Sequence, residues 1–581
     1  MSPQHLPVKS SPSAGLVAYS TSAVAREHSF GELLKQGGDA YGVDVSPVAT
    51  AHSNHFMPGR FHTASILALP FSDDSFDTLI STGCLEHLAP EDVAPALREI
   101  HRVCRRNLFL RVATGPDRDG HWHLTIENRG WWEEAAFAAG FRKHPLYYAI
   151  TPFHTLETEG NSIIIPLEKI SDNALSRYPL NTLLEHRDLH MDMSHETGRR
   201  SDAHMARYHL VANYVRDGDT VLDAACGMGY GSHMLAWQSP AALVIGADLD
   251  HDGILYASEN FPCKEGRLSF HVADAQRLDF LPDNSVDLFI SFETLEHVPH
   301  PERLIAEARR ILRPSGRFIV SVPNLWVNEE GVDPNPHHLH VYDWTRLAKE
   351  VRSHFLLEAA YAQTAGGGMK LSKHHRSLFE FPPEGEQPAE AEWWLLVGMK
   401  DPVESKSVPY KETALHWKGV APNAVAFLRD YENPWLIRGI VSIGWRNRNP
   451  RQRTELAERA LAASSANSPD AGAALCVLAY GLLESPDRPT PASVHAIVMK
   501  IDTYVAWNDP RPQFRRWAIS LMYVRGLLWQ SIGKLGKSLD SFLKLRCCRS
   551  PCLQPFACHQ DGGCLSTCRH VVVSGWQQRG R

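Results

Sequence analysis

The stretch 221–232, VLDAACGMGYGS, constrains the fold of this chain more than any other segment. It joins a short apolar run to three glycines with the spacing G-x-G-x-G, at Gly227, Gly229 and Gly231. Glycine permits a tight turn and a close approach of the backbone to a ligand. The next apolar run, VIGADLD, carries Asp248 about 20 residues past the glycines, where a carboxylate can accept hydrogen bonds from a ribose. The pattern predicts a strand, a glycine-rich turn and an adenine-nucleotide-type pocket.

Apolar runs and helical patterns alternate after this turn, as a doubly wound parallel sheet requires. The segment 301–312, PERLIAEARRIL, has apolar residues at helical spacing, with Pro301 in its first turn and Pro314 and Gly316 beyond its end. In such a sheet the ligand lies at the carboxyl ends of the strands. Strands are predicted at 220–224, 243–248, 269–273, 286–291, 317–322, 355–361 and 392–399.

Four motifs in this order resemble those of the class I S-adenosylmethionine-dependent methyltransferases. They are the glycine turn, HVADAQRL at 271–278, SVDLFISFETLEHV at 285–298 and ILRPSGRFIVSVPN at 311–324. The sequence departs from the family at Ala225, where a glycine is usual. The resemblance implies S-adenosyl-L-methionine as cofactor, with Asp274 reading the adenine amino group. The implied cofactor-binding residues are Asp223, Ala225, Gly227, Gly229, Gly231, Asp248, Leu249, Asp274, Ala275 and Ser291.

A second copy of the same module precedes this one. The segment 75–88, SFDTLISTGCLEHL, aligns with 285–298 at a constant offset of 210, which places His87 opposite His297. Upstream, YGVDVSP at 41–47 parallels IGADLDH, which places Asp44 opposite Asp248. The first copy has Gly31 alone where three glycines are expected, and Ser65 stands near the place of the adenine-reading acid. We expect this copy to bind the cofactor weakly or not at all. The alternative is a working methyltransferase with a diverged turn.

Methyl transfer to a hydroxyl also needs a base, and histidine is the usual one near neutral pH. Two groups qualify by position: Glu293, Glu296 and His297 after the fourth strand, and the segment 336–344, PHHLHVYDW, after the fifth. The candidates are His297, His338 and His340, with an acceptor that is a small molecule or glycan and a methylated oxygen. His297 has a structural alternative, because His87 persists in the degenerate copy. No metal is expected, since His337, His338 and His340 are too close in sequence to ligate one ion together.

The segment 204–215, HMARYHLVANYV, precedes the first strand of the second copy. Related enzymes cap the cofactor with a comparable helix, so His204, Arg207 or Tyr208 can reach the cofactor carboxylate. An amphipathic helix with exposed polar positions explains the same pattern equally well.

The remaining chain is helical and then irregular. Alanine-rich and leucine-rich stretches predict helices over 421–545, and Gly526, Trp529, Gly533, Ser538 and Phe542 resemble a tetratricopeptide-type hairpin that could bind a protein partner. Six of the 11 cysteines crowd into the last 35 residues without paired C-x-x-C spacing, so zinc fingers are not expected there.

The sequence therefore predicts an α/β protein: two tandem Rossmann-like doubly wound modules followed by an α-helical domain. The predicted divisions are a flexible tail (1–25), a degenerate module (26–175), the cofactor-binding module (186–402), a linker (403–420), a helical domain (421–545) and a cysteine-rich tail (546–581).

Charge and hydropathy exclude some functions. A formal net charge of −7 gives no electrostatic case for nucleic acid, and no apolar run is long enough for a membrane span, so we expect a cytoplasmic protein. Two other classes stay open: a non-catalytic scaffold that binds the cofactor or acts through the helical domain, and a nicotinamide-dependent oxidoreductase, against which the G-x-G-x-G spacing argues.

Overall fold

The computed structural model describes residues 14–19, 35, 38–177, 192–261, 266–326, 332–367, 374–410, 431–441 and 449–547. The chain forms two α/β modules, one after the other, each with a mixed sheet and flanking helices. A bundle of helices follows them. The predicted fold class is confirmed. Within these residues, every helix falls short of the length and apolarity that crossing a bilayer requires.

The first module has a seven-stranded sheet of order β3-β2-β1-β4-β5-β7-β6. All strand pairs are parallel except those made by β7, which runs antiparallel to both of its neighbours. The strands are β1 Ala14–Tyr19, β2 Asp39–Asp44, β3 Phe61–Thr63, β4 Phe76–Thr82, β5 Cys104–Ala113, β6 Phe141–Lys143 and β7 Ser162–Lys169. The helices are α1 Pro47–Phe56, α2 Pro90–Val103, α3 Arg129–Ala138, α4 Tyr147–Ile150 and α5 Asp172–Arg177.

The central module repeats this order as β10-β9-β8-β11-β12-β15-β13 and adds β14 at the edge. Its central strand β11 is buried at every residue, including the polar Asp287 and Ser291, which agrees with its nearly continuous apolar sequence. The strands are β8 Thr220–Ala224, β9 Leu243–Asp248, β10 Leu268–Val272, β11 Val286–Phe292, β12 Leu312–Pro323, β13 Leu356–Thr364, β14 Ser377–Phe381 and β15 Trp393–Met399. The helices are α6 Gly198–Ala212, α7 Tyr230–Gln238, α8 His251–Asn260, α9 Pro301–Ile311 and α10 Trp344–Arg352.

One apolar cluster spans both modules, and a second cluster lies within the central module. Phe141 and Tyr148 of the first module belong to the same buried cluster as Met205 and Tyr208 on α6. Polar contacts cross the same boundary, because His233 on α7 lies 3.0 Å from the Glu168 carboxylate of β7. The predicted division of the chain into independent modules therefore understates how closely they are joined.

The helical region packs against the amino-terminal edge of the central sheet, opposite the carboxyl ends of its strands. Ser315 Oγ donates to the Trp435 carbonyl (3.2 Å), and Gln452 Nε2 donates to the Leu357 carbonyl (3.2 Å). Its helices are α11 Pro434–Val441, α12 Pro450–Ala463, α13 Pro469–Glu484, α14 Pro491–Ala506, α15 Pro512–Ser531 and α16 Leu535–Cys547.

The predicted hairpin near the end of the helical region is confirmed as α15 and α16. Gly526 lies against the Phe542 ring, where a β-carbon would come within 2.5 Å of the ring, and Gly533 has a φ of 74° in the turn between the helices. Binding of a protein partner by this region stays a prediction from the sequence.

Two predicted boundaries are corrected. The flexible tail over 1–25 is wrong at residues 14–19, because this stretch pairs with β2 and β4 in the middle of the first sheet. The part of the linker that is described, 403–410, is packed: Trp435 Nε1 donates to the Val408 carbonyl (3.0 Å), and the Tyr410 and Trp435 rings lie 4.7 Å apart. Residues 411–420, and 548–581 of the cysteine-rich tail, lie outside the described residues.

Candidate functional site

The glycine turn connects β8 to α7 at the carboxyl edge of the central sheet. Gly227 and Gly229 have φ values of 54° and 82°, a conformation that glycine adopts without a steric penalty. A β-carbon at Gly227 would meet nothing within 4 Å, so this residue borders open space. The turn therefore presents bare backbone to the cleft at Gly227.

The other two glycines are required by packing inside the protein, and here the sequence-based explanation was wrong. A β-carbon at Gly231 would collide with the Tyr208 ring, and one at Gly229 would lie 2.6 Å from Ala257 and 2.7 Å from Phe270. Both glycines shape the turn without facing a ligand.

Ala225 also has a left-handed backbone, with a φ of 63°. A residue with a β-carbon is strained there by about 1–2 kcal/mol, which explains why a glycine is usual at this position. Two hydrogen bonds stabilise this backbone conformation. The Ala225 and Cys226 amides donate to the Ala247 carbonyl at 2.7 and 3.0 Å.

Asp223 lies beneath the turn and is fully buried. Its carboxylate accepts hydrogen bonds from Ser232 Oγ (2.7 Å) and Tyr208 Oη (3.2 Å). Burial raises the pKa of Asp223 to about 7 against the opposing effect of these donors. Ser291, on the neighbouring strand, is also completely buried. Neither side chain reaches the cleft, so both support the turn from below.

Asp248, at the end of β9, ties the turn to the next strand. One carboxylate oxygen accepts from the Gly227 amide (2.7 Å) and the other from the Asp250 amide (2.9 Å). Each carboxylate oxygen has two lone pairs, so both remain able to accept from a ligand hydroxyl. The role of Asp248 in binding a ribose stays a prediction from the sequence.

The surface beside Asp248, called the ledge below, is formed by Leu249, Val272, Asp274 and Ala275. Leu249 is 71% exposed and Val272, at the end of β10, is 50% exposed, which is unusual for residues flanking buried strands. Asp274 follows β10 and accepts from the Gln276 amide (2.9 Å), while Ala275 is buried beside it. An apolar surface next to a carboxylate suits a flat aromatic ring that carries an amino group.

Two of the three residues predicted to reach a cofactor carboxylate from the helix before the first strand are turned into the protein. Arg207 on α6 is completely buried and pairs with Glu293 (Nη1 to Oε1, 2.8 Å) and Gln363 (Nε to Oε1, 2.6 Å). Tyr208 is turned towards Asp223. These two residues join α6 to the sheet, so neither the cofactor role nor the alternative of exposed polar positions describes them. The cofactor role stays a prediction for His204, which is half-buried.

Three metal-type donors meet after β11: Glu296, His297 and His338, with ligand atoms all within 4.8 Å of one another. His297 Nδ1 bonds the His337 carbonyl (3.0 Å), and His338 Nδ1 bonds the Asp333 carboxylate (2.7 Å). Burial raises the pKa of Glu296, with the nearby Glu293 adding to the effect, and burial lowers the pKa of His297.

Only part of the predicted histidine set is brought together. His340 Nε2 bonds the Val298 carbonyl (3.1 Å) and stands outside the cluster, and the His337 side chain is exposed. Glu296 belongs to the group predicted from its position after the fourth strand, although only histidines were chosen from the candidates as possible bases. The expectation that no metal binds here stays a prediction. It considered the PHHLH histidines together, whereas the structure places Glu296 and His297 beside His338.

The same cluster occurs in the first module. Glu86, His87 and His123 also bring their ligand atoms within 4.8 Å of one another. His123 was not singled out by sequence, because only the fold brings it to His87.

Comparison with known proteins agrees with this geometry. Residues 25–110 and 222–320 match the family model described as a methyltransferase domain. A protein of Mycolicibacterium smegmatis named "probable S-adenosylmethionine-dependent methyltransferase" is 31% identical over 168 residues, which are 28% of this chain and 63% of that protein. The resemblance of the two modules to class I S-adenosylmethionine-dependent methyltransferases is thereby confirmed.

Two further similarities concern a curated relative and a solved structure. A phthiotriol/phenolphthiotriol dimycocerosates methyltransferase of Mycobacterium tuberculosis is 35% identical over 132 residues, 22% of this chain and 47% of that protein. The crystal structure of an S-adenosylmethionine-dependent methyltransferase from Mesorhizobium loti matches 34% of this chain and 98% of its own, at 19% identity and a TM-score of 0.26. The chain spans between about half and two thirds of the length of the curated relatives it matches.

Proposed function

We propose that the central module binds S-adenosyl-L-methionine and transfers its methyl group to an oxygen of a small-molecule or glycan-type acceptor. The observation that carries this proposal is Gly227, whose left-handed backbone faces open space and whose amide is anchored to Asp248. Such a turn lets a ligand approach the backbone more closely than any side chain would permit.

The residues of the turn and the ledge fit the parts of this cofactor. Asp248 would accept hydrogen bonds from the ribose hydroxyls, and Asp274 would accept one from the adenine amino group. Leu249 and Ala275 would pack against the adenine ring. Asp223, Ser291 and Gly231 would hold the turn in shape from beneath, since they are buried among protein atoms.

The acceptor would lie at the cluster of Glu296, His297 and His338, because β11 neighbours β8 and both strands end at the same edge. The bound cofactor supplies an activated methyl group on a sulfonium, so this chain has to align the acceptor and remove its proton. An oxygen acceptor is supported by the relative named for phthiotriol and phenolphthiotriol dimycocerosates, names that denote hydroxyl compounds. His340 is not proposed as the base, since its ring lies outside this cluster and its Nε2 bonds the Val298 carbonyl.

A matched pair of glycine substitutions tests this proposal on the full chain. Gly227 and Gly59 both have positive φ values, 54° and 76°, and a β-carbon at either would meet nothing within 4 Å. Gly227→Ala is expected to weaken S-adenosylmethionine binding at least tenfold in calorimetry, because it adds a side chain at the ligand face. Gly59→Ala carries a similar backbone strain of about 1–2 kcal/mol and should leave the affinity unchanged.

Transfer is measured separately, with methyl-labelled cofactor and a small-molecule extract as the source of acceptors. Label should enter the extract with the wild-type chain and with Gly59→Ala, but not with Gly227→Ala. Binding without transfer to any extract would favour a regulatory or scaffold role, and absence of binding by the wild-type chain would overturn the proposal.

A further inference from the structure

We propose that each module holds one divalent transition-metal ion of the zinc type. The site in the central module is formed by Glu296, His297 and His338, and the site in the first module by Glu86, His87 and His123. This inference goes beyond the proposed function, since it includes the module in which the cofactor turn is degenerate.

The two clusters are built in the same way. His87 and His297 stand 210 positions apart, each in the short helical turn after the fourth strand of its sheet. Each faces a histidine from the segment after the next strand, with ring centroids 5.1 Å apart in the first module and 4.6 Å apart in the second. The angle between the ring planes is 69° in both pairs.

Backbone hydrogen bonds fix the second histidine of each pair in the same place. In the first module, the two amides after His123 donate to the Glu86 carbonyl at 2.8 and 3.0 Å. In the central module, the two amides after His338 donate to the Glu296 carbonyl at 2.7 and 3.1 Å. The two segments have little sequence in common, so the pairing preserves a geometry rather than a motif.

The ring nitrogens are arranged as a metal site requires. His87 and His297 bond backbone carbonyls through Nδ1, at 2.8 and 3.0 Å, and His123 bonds the Gly115 carbonyl through Nδ1 at 2.7 Å. A carbonyl can only accept a hydrogen bond, so each Nδ1 carries the proton and the neutral ring has its lone pair on Nε2. Metal-binding histidines are oriented by such an outer hydrogen bond to an oxygen.

The outer partner of His338 is the carboxylate of Asp333 instead, at 2.7 Å from Nδ1. A carboxylate partner makes the opposite ring nitrogen a more basic metal ligand than a carbonyl partner does. The central module should therefore bind its ion more tightly than the first module.

The buried glutamates provide the independent observation. Glu296 is 1% exposed, and neither of its carboxylate oxygens has a hydrogen-bond partner among the described residues. Glu86 is 3% exposed and keeps one partner, the Ala113 amide at 3.0 Å. A buried carboxylate without partners is costly, so a cation at this position would satisfy it.

The strand register explains why Glu296 lost the donor that Glu86 retains. Ser81 pairs with Leu110 and Ser291 pairs with Val320, so Ala113 and Pro323 take the same position three residues further along their strands. Proline has no amide hydrogen to donate. The central module thus leaves its carboxylate fully available to a ligand.

One carboxylate and two imidazoles are a donor set that binds zinc-type ions, and three protein ligands leave a position open for a further ligand. In the central module, and resting on the proposed function, this open position would take the acceptor oxygen. A metal-bound oxygen loses its proton more readily, so the acceptor hydroxyl would give its proton to solvent water and its oxygen would bond the methyl carbon, while the cofactor sulfur keeps the electron pair of the broken S–C bond.

Zinc content of the full chain tests the inference. The protein is stripped with a chelator, loaded with Zn²⁺ alone, freed of excess ion and analysed by elemental mass spectrometry. The wild-type chain should hold two ions more than the double variant His123→Ala with His338→Ala, and each single variant should hold one ion fewer than wild type. Because only differences are used, ions bound by the cysteines after Cys547 do not affect the result.

Two neighbouring histidines serve as controls. His121→Ala and His340→Ala change residues next to the clusters but outside them, and should keep the full ion content. Loading with Co²⁺ gives a second readout, since nitrogen and oxygen ligands produce visible d–d absorption without a thiolate charge-transfer band. If an alanine variant does not fold, Glu296→Gln keeps the shape of the side chain and should still lose the central ion.

Equal ion content in wild type and double variant would overturn the inference, and so would equal losses in the control variants. The outcome is independent of the cofactor. Two ions in a chain that fails to bind S-adenosylmethionine would leave the metal sites standing and overturn the proposed function. Binding of S-adenosylmethionine by a chain that holds neither ion would leave the proposed function standing and overturn the metal sites.

Discussion

The two modules share their sheet order but differ at the turn after the first strand. Val17 in β1 and Asp223 in β8 take the same position, because they pair with Ile80 and Ile290 of equivalent strands. Counting on from there in the sequence, Thr21 corresponds to Gly227. The copies have thus kept their packing and their histidine clusters, whereas the glycine turn is present in one copy only. Under the proposed function, cofactor binding and the histidine clusters are separable properties of this fold.

Even small buried details are common to both modules. Lys169 Nζ contacts Asp74 Oδ1 and the Cys104 carbonyl, both at 2.9 Å. Lys400 Nζ contacts Asn284 Oδ1 at 2.8 Å and the Leu312 carbonyl at 2.7 Å. The first module therefore remains a well-packed protein unit, which suits a supporting role for the central one.

The largest expected effect comes from breaking the contact between the modules. Asp202 on α6 is buried and accepts from Lys143 (2.9 Å) and Tyr148 (2.8 Å) of the first module and from Arg376 (2.9 Å). Asp202→Ala leaves two buried cations without this partner, so we expect a loss of about 5 kcal/mol in the free energy of unfolding. Urea denaturation followed by circular dichroism measures this loss.

A surface carboxylate provides the control for that substitution. Asp279 pairs with Arg277 at 2.6 Å, but the two side chains are 67% and 77% exposed. Asp279→Ala should cost less than about 0.5 kcal/mol. Two separate unfolding transitions, with only one moved by Asp202→Ala, would contradict a shared core.

The second-largest expected effect is a pH dependence of the unfolding free energy. It arises from Asp223 in the central module, whose equivalent in the first module is Val17. The buried Asp223 keeps its proton up to a pKa of about 7, whereas an unfolded aspartate loses it near pH 4. The unfolded state therefore binds fewer protons between these values, and stability falls as the pH rises, by up to about 4 kcal/mol.

Asp223→Asn removes this titration, and Val17 shows that the fold accepts a neutral residue at the equivalent position. The difference in unfolding free energy between wild type and Asp223→Asn should change with pH from 4 to 7 and be flat below pH 4. A constant difference across this range would show that Asp223 is ionised in the folded protein.

Twin glycines give a third, smaller effect that should be equal in both modules. Gly42 faces the Phe61 ring, and Gly246 faces the Phe270 ring, which a β-carbon would approach to 2.6 Å. Either glycine changed to alanine overpacks its site, so we expect each substitution to cost about 1–3 kcal/mol of stability. Thermal unfolding of the two variants side by side tests the match, and a cost in only one of them would show that the packing has diverged.

The smallest predicted effect is a gain in stability. Ala225→Gly relieves the strain of a left-handed alanine but adds freedom to the unfolded chain, so the expected net gain is about 0.5–1 kcal/mol. Ala224→Gly is the control, because Ala224 lies in a strand and glycine there should destabilise by about 1 kcal/mol. A loss from both substitutions would mean that the turn does not strain Ala225.

Much of the central sheet could be predicted because its strands are continuous apolar runs with clear ends. The bounds of β8 and β9 agree with the predicted 220–224 and 243–248. By contrast, β1 is six residues of mostly small side chains, and its role depends on the strands that flank it. A segment whose structure is decided by its neighbours carries little signal of its own.

The site divides in the same way. Gly227 and Asp248 could be placed from their spacing, which reflects local backbone geometry. The role of Gly231 could not be predicted from the sequence, because the space that a side chain would need there is filled by Tyr208 on another helix. His123 could not be found either, because its partner His87 is 36 residues away in sequence.

The central claim is that two copies of one fold retain a single cofactor site. Calorimetry of the full chain with S-adenosylmethionine measures the number of sites directly, and Asp248→Asn with its counterpart Asp44→Asn assigns them. The account predicts one site per chain, weakened at least tenfold by Asp248→Asn and unchanged by Asp44→Asn, since the lost interaction is a hydrogen bond to a charged group. Two sites per chain, or a single site that depends on Asp44, would contradict it.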